Sequence, residues 1–132
     1  MNIENIINEK NLKLTSARKE ILNILLDSNK PISYEDVKDE ISMDKATFYR
    51  NIIKFEENGL ISTFESNDKK RYYEIQENNH AHFICSKCSN IECLHEKIDI
   101  SLKNHLIENI IIKGICQNCL ELAINNFKGY LL

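Results

Sequence analysis

The sequence predicts an α+β protein: an N-terminal winged helix-turn-helix domain, then a small α/β domain carrying a four-cysteine zinc site. Three observations predict it. Apolar residues recur at helical spacing as far as Gly59, the period then shortens to that of two strands, and beyond residue 80 two Cys-x-x-C pairs stand 27 residues apart. At 132 residues the chain has room for one domain or two small ones, and small domains often need a staple for a thin core.

The first predicted helix lies in "LTSARKEILNILLDSNKP". Thr15 and Ser16 are N-cap candidates, Ala17, Ile21, Ile24 and Leu25 form the apolar stripe, and Pro31 separates the helix from the next segment. Ser33 can cap a second helix in "YEDVKDEI", whose Glu35 and Asp36 suit the positive end of the helix dipole and whose Val37 and Ile41 turn inward. In "DKATFYRNIIKFEEN", Phe48, Ile52 and Phe55 repeat at i, i+4, i+7, and Gly59 stands where a helix ends in the left-handed conformation. "LISTFES", the polar turn "NDKK" and "RYYEI" then read as a hairpin rich in β-branched and aromatic residues. Three short helices and a basic-tipped hairpin describe a winged helix over residues 1–78.

From residue 79 to 132 the expected order is a strand at "HFIC", a cysteine knuckle, a mixed segment, the apolar run "NIIIKGIC", a second knuckle and a C-terminal helix. That helix would place Leu120, Ala123, Ile124, Phe127 and Leu131 on one face.

Net charge is −3, which argues against a simple polycation that coats nucleic acid. The distribution says more. Of the twelve Lys and Arg in residues 1–71, nine fall in three clusters, Lys13/Arg18/Lys19, Lys45/Arg50/Lys54 and Lys69/Lys70/Arg71, whereas residues 72–132 hold five basic and seven acidic residues. No stretch approaches the roughly 18–20 apolar residues of a membrane span. The start "MNIENIINEKNLKL" lacks the basic and apolar regions of a secretory signal, so no membrane association and a cytoplasmic location are expected. In that compartment clustered cysteines bind metal more often than they pair as disulfides.

Cys85, Cys88, Cys116 and Cys119 can close a tetrahedral thiolate shell on zinc, leaving no position for substrate. His80 and His82 form an H-x-H, and on a strand positions i and i+2 share a face, roughly 7 Å apart along the chain. Two imidazoles so placed can converge on one ion; two surface histidines are the plain alternative. Cys85, three residues beyond His82, falls on the opposite face of a regular strand.

With "LKLTSARKEIL", "ATFYRNIIKFEENGLI", "YYEI", "HAHFICSKCSNI" and "GICQNC" in this order, almost the whole chain resembles the ferric uptake regulator family of bacterial metal-dependent repressors. The resemblance implies a winged-helix domain that binds a double-stranded DNA operator, a C-terminal domain that forms a homodimer, a structural zinc on four cysteines, and a second divalent metal, zinc, iron or manganese, that switches DNA affinity near the hinge. Carried over, the switch ligands fall on Glu74, His80 and His82, and a family acidic ligand falls on Cys93. A histidine the family supplies before its second helix falls on Lys30, and an ammonium has no lone pair to offer a metal. A further family metal site looks lost, with Ala81 and Glu108 at its positions, and the stretch between the knuckles is shorter than the family norm. A thiolate at Cys93 would shift preference toward zinc. A cysteine filling the core and an oxidation sensor are its other readings. His95 and His105 lie off both motifs, with His95 in reserve for the place lost at Lys30.

For DNA, the family's base-reading tyrosine and arginine fall on Tyr49 and Arg50, and its minor-groove lysine on Lys13. Lys45 and Thr47 are expected on the same exposed side, Arg18 in the first basic cluster is a further DNA-binding candidate, and Lys69, Lys70 and Arg71 on the wing would contact phosphates.

The expected function is a dimeric, metal-responsive transcriptional repressor on a near-palindromic operator, not an enzyme. One variant is a member with a decayed switch, binding DNA constitutively or sensing redox through Cys93. From another class come a zinc hydrolase using Glu74 beside the two histidines, or a C-x-x-C oxidoreductase. No oxyanion device accompanies either set, and both leave the N-terminal half unexplained.

Overall fold

The computed structural model describes residues 3–76, 81–96 and 98–126, which form two compact units. The first comprises residues 1–65 and 70–78, the second residues 66–69 and 79–132.

The first unit begins with α1 (Ile3–Glu9), an element absent from the sequence-based expectation, which buries Ile6 and Ile7. Helix α2 (Ser16–Asp27) starts at Thr15, whose hydroxyl accepts from the Arg18 amide at 3.2 Å. Its buried stripe is Ile21, Leu22 and Leu25. Leu22 is fully buried while Ile24 is only half-buried, so the helix is rotated slightly from the expected Ala17/Ile21/Ile24/Leu25 face. A two-residue strand β1 (Ile32–Ser33) leads into α3 (Tyr34–Val37), where Ser33 and Asp36 form a reciprocal capping box. The helix expected to reach Ile41 is thus one turn long, continued by turn-type bonds from Glu40 and Ile41 to the Val37 carbonyl.

Helix α4 (Lys45–Glu57) buries Phe48, Ile52 and Phe55, three residues on one face at the 3.6-residue period. Complete burial of a Phe side chain contributes about 1.5–3 kcal/mol, so this stripe fixes which side of α4 faces out. Gly59, at φ +70°, ends the helix. Its amide donates to the Glu56 carbonyl and the Leu60 amide to the Phe55 carbonyl, the paired bonds of a Schellman cap. The chain turns directly into β2 (Ile61–Glu65), which pairs antiparallel with β3 (Arg71–Ile75); β1 adds to the other edge, giving the order β1-β3-β2. Tyr73, opposite Ile32 on one side and Thr63 on the other, closes the core over Phe48.

The second unit is a three-stranded sheet of order β5-β4-β6. β4 (Ala81–Cys85) runs antiparallel to β5 (Ile91–Leu94) and parallel to β6 (Ile110–Gly114). Among the described residues no helix stands between β5 and β6, consistent with the short spacing between the knuckles. Helix α5 (Gln117–Asn126) comes last. Its expected inward residues Leu120 and Ile124 are 47% and 43% exposed in the single chain, so they are not part of a core of this chain; Phe127 and Leu131 lie outside the described residues.

Candidate metal centres and nucleic-acid interface

The four-cysteine centre is built from two chain reversals brought together by the parallel pairing of β4 and β6. Cys85 ends β4, and the tight turn after it, with Ser89 at φ 62°, presents Cys88; Cys116 and Cys119 stand at the start of α5. The four sulfurs lie within 4.8 Å of one another, with Cys88 Sγ and Cys116 Sγ at 3.8 Å. A tetrahedron with zinc–sulfur bonds of 2.3 Å has edges of roughly 3.8 Å, so these donors fit zinc in number, chemistry and spacing.

Electrostatics support the same reading. The Cys85 sulfur, buried, accepts from the amides of Cys116 (3.3 Å), Cys88 (3.5 Å) and Lys87 (3.3 Å), which hold its thiol down at about 6. Cys119 is pushed up to about 12 by the thiols of its neighbours, Cys116 first, and by burial. Cys88 is raised as well, by burial and by the thiols of Cys85 and Cys116 despite the Asn90 amide. Four thiolates in so small a volume repel one another, and a divalent cation removes that conflict.

A second donor pair lies on the same sheet. His82 on β4 and Cys93 on β5 are directly opposed in the antiparallel register, with a ring nitrogen and the sulfur within 4.8 Å. His82 is 2% exposed. Cys93 is half-buried. Ala81 and His82, strand neighbours that point to opposite faces, are both buried, as are Ile84 and Cys85, so each face of β4 is covered. Glu74 sits on β3 of the first unit, opposite Ser62 and half-buried. His80 lies outside the described residues. Lys30 is exposed, its carbonyl accepting from Ser28 Oγ at 2.5 Å. His95 is exposed just beyond β5, and the Nδ1 of exposed His105 lies 2.6 Å from the Lys103 carbonyl.

In the first unit the expected DNA residues stand on α4, in the first turn of α2 (Arg18), just before it (Lys13) and in the hairpin turn (Lys70). Asp44 caps α4: its carboxylate accepts from the Thr47 amide at 2.8 Å and is held below the usual range by Thr47. Thr47 Oγ1 accepts in turn from Arg50 Nη2 at 3.1 Å, so the guanidinium lies back along the exposed side of the helix. Lys45 Nζ stands 5.3 Å from the Tyr34 ring centre and 5.9 Å from that of Tyr49, a cation over two aromatic faces. Tyr49 is half-buried against Tyr34 and Phe48. Burial, with Tyr49 beside it, holds the Tyr73 phenol well above its ordinary value.

Arg18 has a role the sequence did not disclose. Its Nε donates to Asn51 Oδ1 at 3.0 Å and its Nη1 to the Lys13 carbonyl at 2.8 Å. It therefore braces the Lys13 segment against α4 with two of its five donors. Asn51, whose Nδ2 donates to the Thr47 carbonyl, was also missed, as was Tyr34; a polar residue on the half-buried flank of a helix was the available signal for Asn51. Lys13, Lys69 and Lys70 are exposed, with Lys69 at φ 64° in the hairpin turn. Residues 66–69 of that turn group with the second unit.

Comparison with known proteins agrees with this architecture. The profile of the ferric uptake regulator family matches residues 9–119. The chain is similar to the ferric uptake regulation protein of Staphylococcus aureus, at 33% identity over 86% of this chain and 93% of that one. It is similar to the peroxide-responsive repressor PerR of Staphylococcus epidermidis at 24% identity, over 83% of each. Among solved structures, the Helicobacter pylori ferric uptake regulator shares the fold, with a TM-score of 0.70 and 23% identity over 89% of both chains. The chain belongs to the ferric uptake regulator family of transcriptional regulators.

Proposed function

We propose that this chain is a metal-responsive repressor that binds a near-palindromic DNA operator as a homodimer, with zinc its preferred signal. The observation that carries the reading is the presence of two donor sets of different character in the second unit. One is closed by four sulfurs; the other, His82 with Cys93, supplies one nitrogen and one sulfur and leaves coordination positions to be filled. A closed set holds a structural ion, and an incomplete one suits an ion that comes and goes.

On this reading Glu74 and His80, carried over from the family resemblance, complete the exchangeable site. A thiolate and imidazoles favour zinc over manganese or iron(II). Metal held there favours the arrangement in which both reading heads match the groove, to the extent that it binds that state better than the other. The first unit is the reading head: α4 enters the major groove with Tyr49, Arg50, Lys45 and Thr47, and Lys13, Arg18, Lys69 and Lys70 contact the backbone or minor groove. The second unit dimerises. Its exposed Leu120 and Ile124 on one side of α5, with exposed Ile112 on β6, whose outer edge no other described strand pairs, offer a second copy apolar surface to cover. The chain is a regulator and not an enzyme.

The test is metal content before and after mild chelation, alongside anisotropy titration of a duplex enriched by the chain from a random-sequence pool. Two zinc per chain, one removable, with DNA affinity following the removable one, supports the proposal. DNA affinity indifferent to the removable ion would overturn the switch. Lys30, at the place of a family histidine, favours one second reading: a chain with a decayed metal switch that binds DNA constitutively or responds to oxidation of Cys93. It predicts equal affinity with and without chelator.

A further inference from the structure

Phe48, Ile52 and Phe55 point one side of α4 into the core, so the opposite side is determined by the helical period. Arg50, Ile53 and Glu57 fall there, within about 60° of one another around the axis. Ile53 is 55% exposed; among the described residues of the first unit, Leu14 and Ile53 are its exposed large hydrophobics, and Ile53 is the more exposed. It stands one turn beyond Tyr49 and Arg50, and a helical side chain leans toward the preceding turn, so its methyl groups lie beside those two residues. The Arg50 guanidinium is drawn the other way, toward Thr47 at 3.1 Å, and leaves Ile53 uncovered.

Resting on the reading of α4 as the recognition helix, we propose that Ile53 is a specificity-determining residue that packs against the 5-methyl group of a thymine in the major groove. A lone exposed isoleucine on a protein surface requires no explanation in itself. What distinguishes Ile53 is its place on the outward side of α4, between Arg50 and Glu57 along the axis and beside the one guanidinium there. In the major groove thymine alone offers a methyl group, so an apolar side chain at this point selects thymine where Arg50 can select guanine. Neither contact substitutes for the other.

The experiment uses the full chain and the duplex it enriches from a random-sequence pool. Each thymine is replaced singly by uracil, which removes only the methyl group, and affinities are measured for wild type, Ile53→Ala and Ile53→Leu. Wild type should lose about fourfold at one thymine in each half-site, the worth of one buried methyl. Ile53→Ala, which removes the contact from both half-sites, should lose about sixteenfold on the unmodified duplex and become indifferent to uracil at that position, while keeping any sensitivity at other thymines. Ile53→Leu should restore the discrimination. Circular dichroism should be unchanged for both, since the site is exposed. If Ile53→Ala keeps wild-type affinity, or loses affinity while retaining every wild-type uracil effect, the assignment is wrong. If the wild-type chain enriches no duplex, the DNA-binding reading itself fails and this inference goes with it.

Discussion

Arg18 and Asn51, 33 residues apart in sequence, are joined by a 3.0 Å hydrogen bond from the guanidinium Nε to the amide Oδ1. The same guanidinium grips the Lys13 carbonyl, so one side chain sets the distance between the segment ahead of α2 and the helix proposed to read DNA. Arg18→Ala should destabilise the first unit by about 1–3 kcal/mol, as charge-assisted hydrogen bonds do. Arg18→Lys is the sharper test. It keeps the charge but cannot make both bonds, so a brace predicts weakened DNA binding with Lys, and a simple phosphate contact predicts near-wild-type binding.

Gly59 offers a stability test unconnected with any ligand. At φ +70° it occupies the left-handed region, and Gly59→Ala should lower stability by about 1 kcal/mol, read as a reduced denaturation midpoint with unchanged slope. The nearest atom to an added Cβ is Lys10 Nζ at 4.0 Å, so crowding contributes nothing and the loss reports backbone strain alone.

The four-cysteine centre makes a proton-linked prediction. Zinc takes thiolates, and each thiol protonated beforehand releases its proton on binding. With Cys85 held down at about 6, its sulfur is already charged at pH 7, whereas Cys88 and Cys119 are raised and must deprotonate. Calorimetry of one zinc equivalent in buffers of different ionisation heat should show release rising by about one proton per zinc as pH is lowered from 7.5 to 5. In the metal-free chain the sign is the same. The amide bonds to the Cys85 thiolate stabilise the fold above the ordinary thiol value of 9.0, and that contribution is lost as pH falls through about 6. Cys85→Ser should lose the tightly held zinc and unfold the second unit, with the first unit's helical signal retained.

At the exchangeable site, Cys93→Asp should move metal preference from zinc toward iron(II) and manganese, because a carboxylate replaces the one soft donor. The readout is the free metal concentration at half-maximal DNA binding. It should rise for zinc relative to manganese, with the four-cysteine zinc untouched. An unaltered ranking of metals would remove Cys93 from the ligand set.

Much of this architecture is written in local pattern. The stripe of Phe48, Ile52 and Phe55 is legible because one helix face must be apolar, and the cysteine pairs are legible because a metal demands their spacing. Elements whose existence depends on partners were not legible. Strand β1 is two residues long and exists through pairing with Tyr72 and Tyr73, and α1 is too short for its Ile3, Ile6 and Ile7 to stand out. The same holds at the candidate sites: Arg18 and Asn51 meet through the packing of two helices, and His82 and Cys93, which the family resemblance alone put together, meet through a strand register. No spacing rule predicts such encounters.

The amide of Cys116 reaches the sulfur of Cys85 across 31 residues, and β4 meets β6 in a parallel pairing with no intervening helix among the described residues. The β4–β5 hairpin forms locally, but between β5 and β6 no described helix shortens the rest of that closure, whose entropic cost grows with the logarithm of the loop. Four sulfurs gathered on one ion offset much of that cost, so the C-terminal sheet is the part of the fold whose stability follows the supply of zinc. A chain synthesised without zinc would then hold this sheet less tightly than it holds the N-terminal helices.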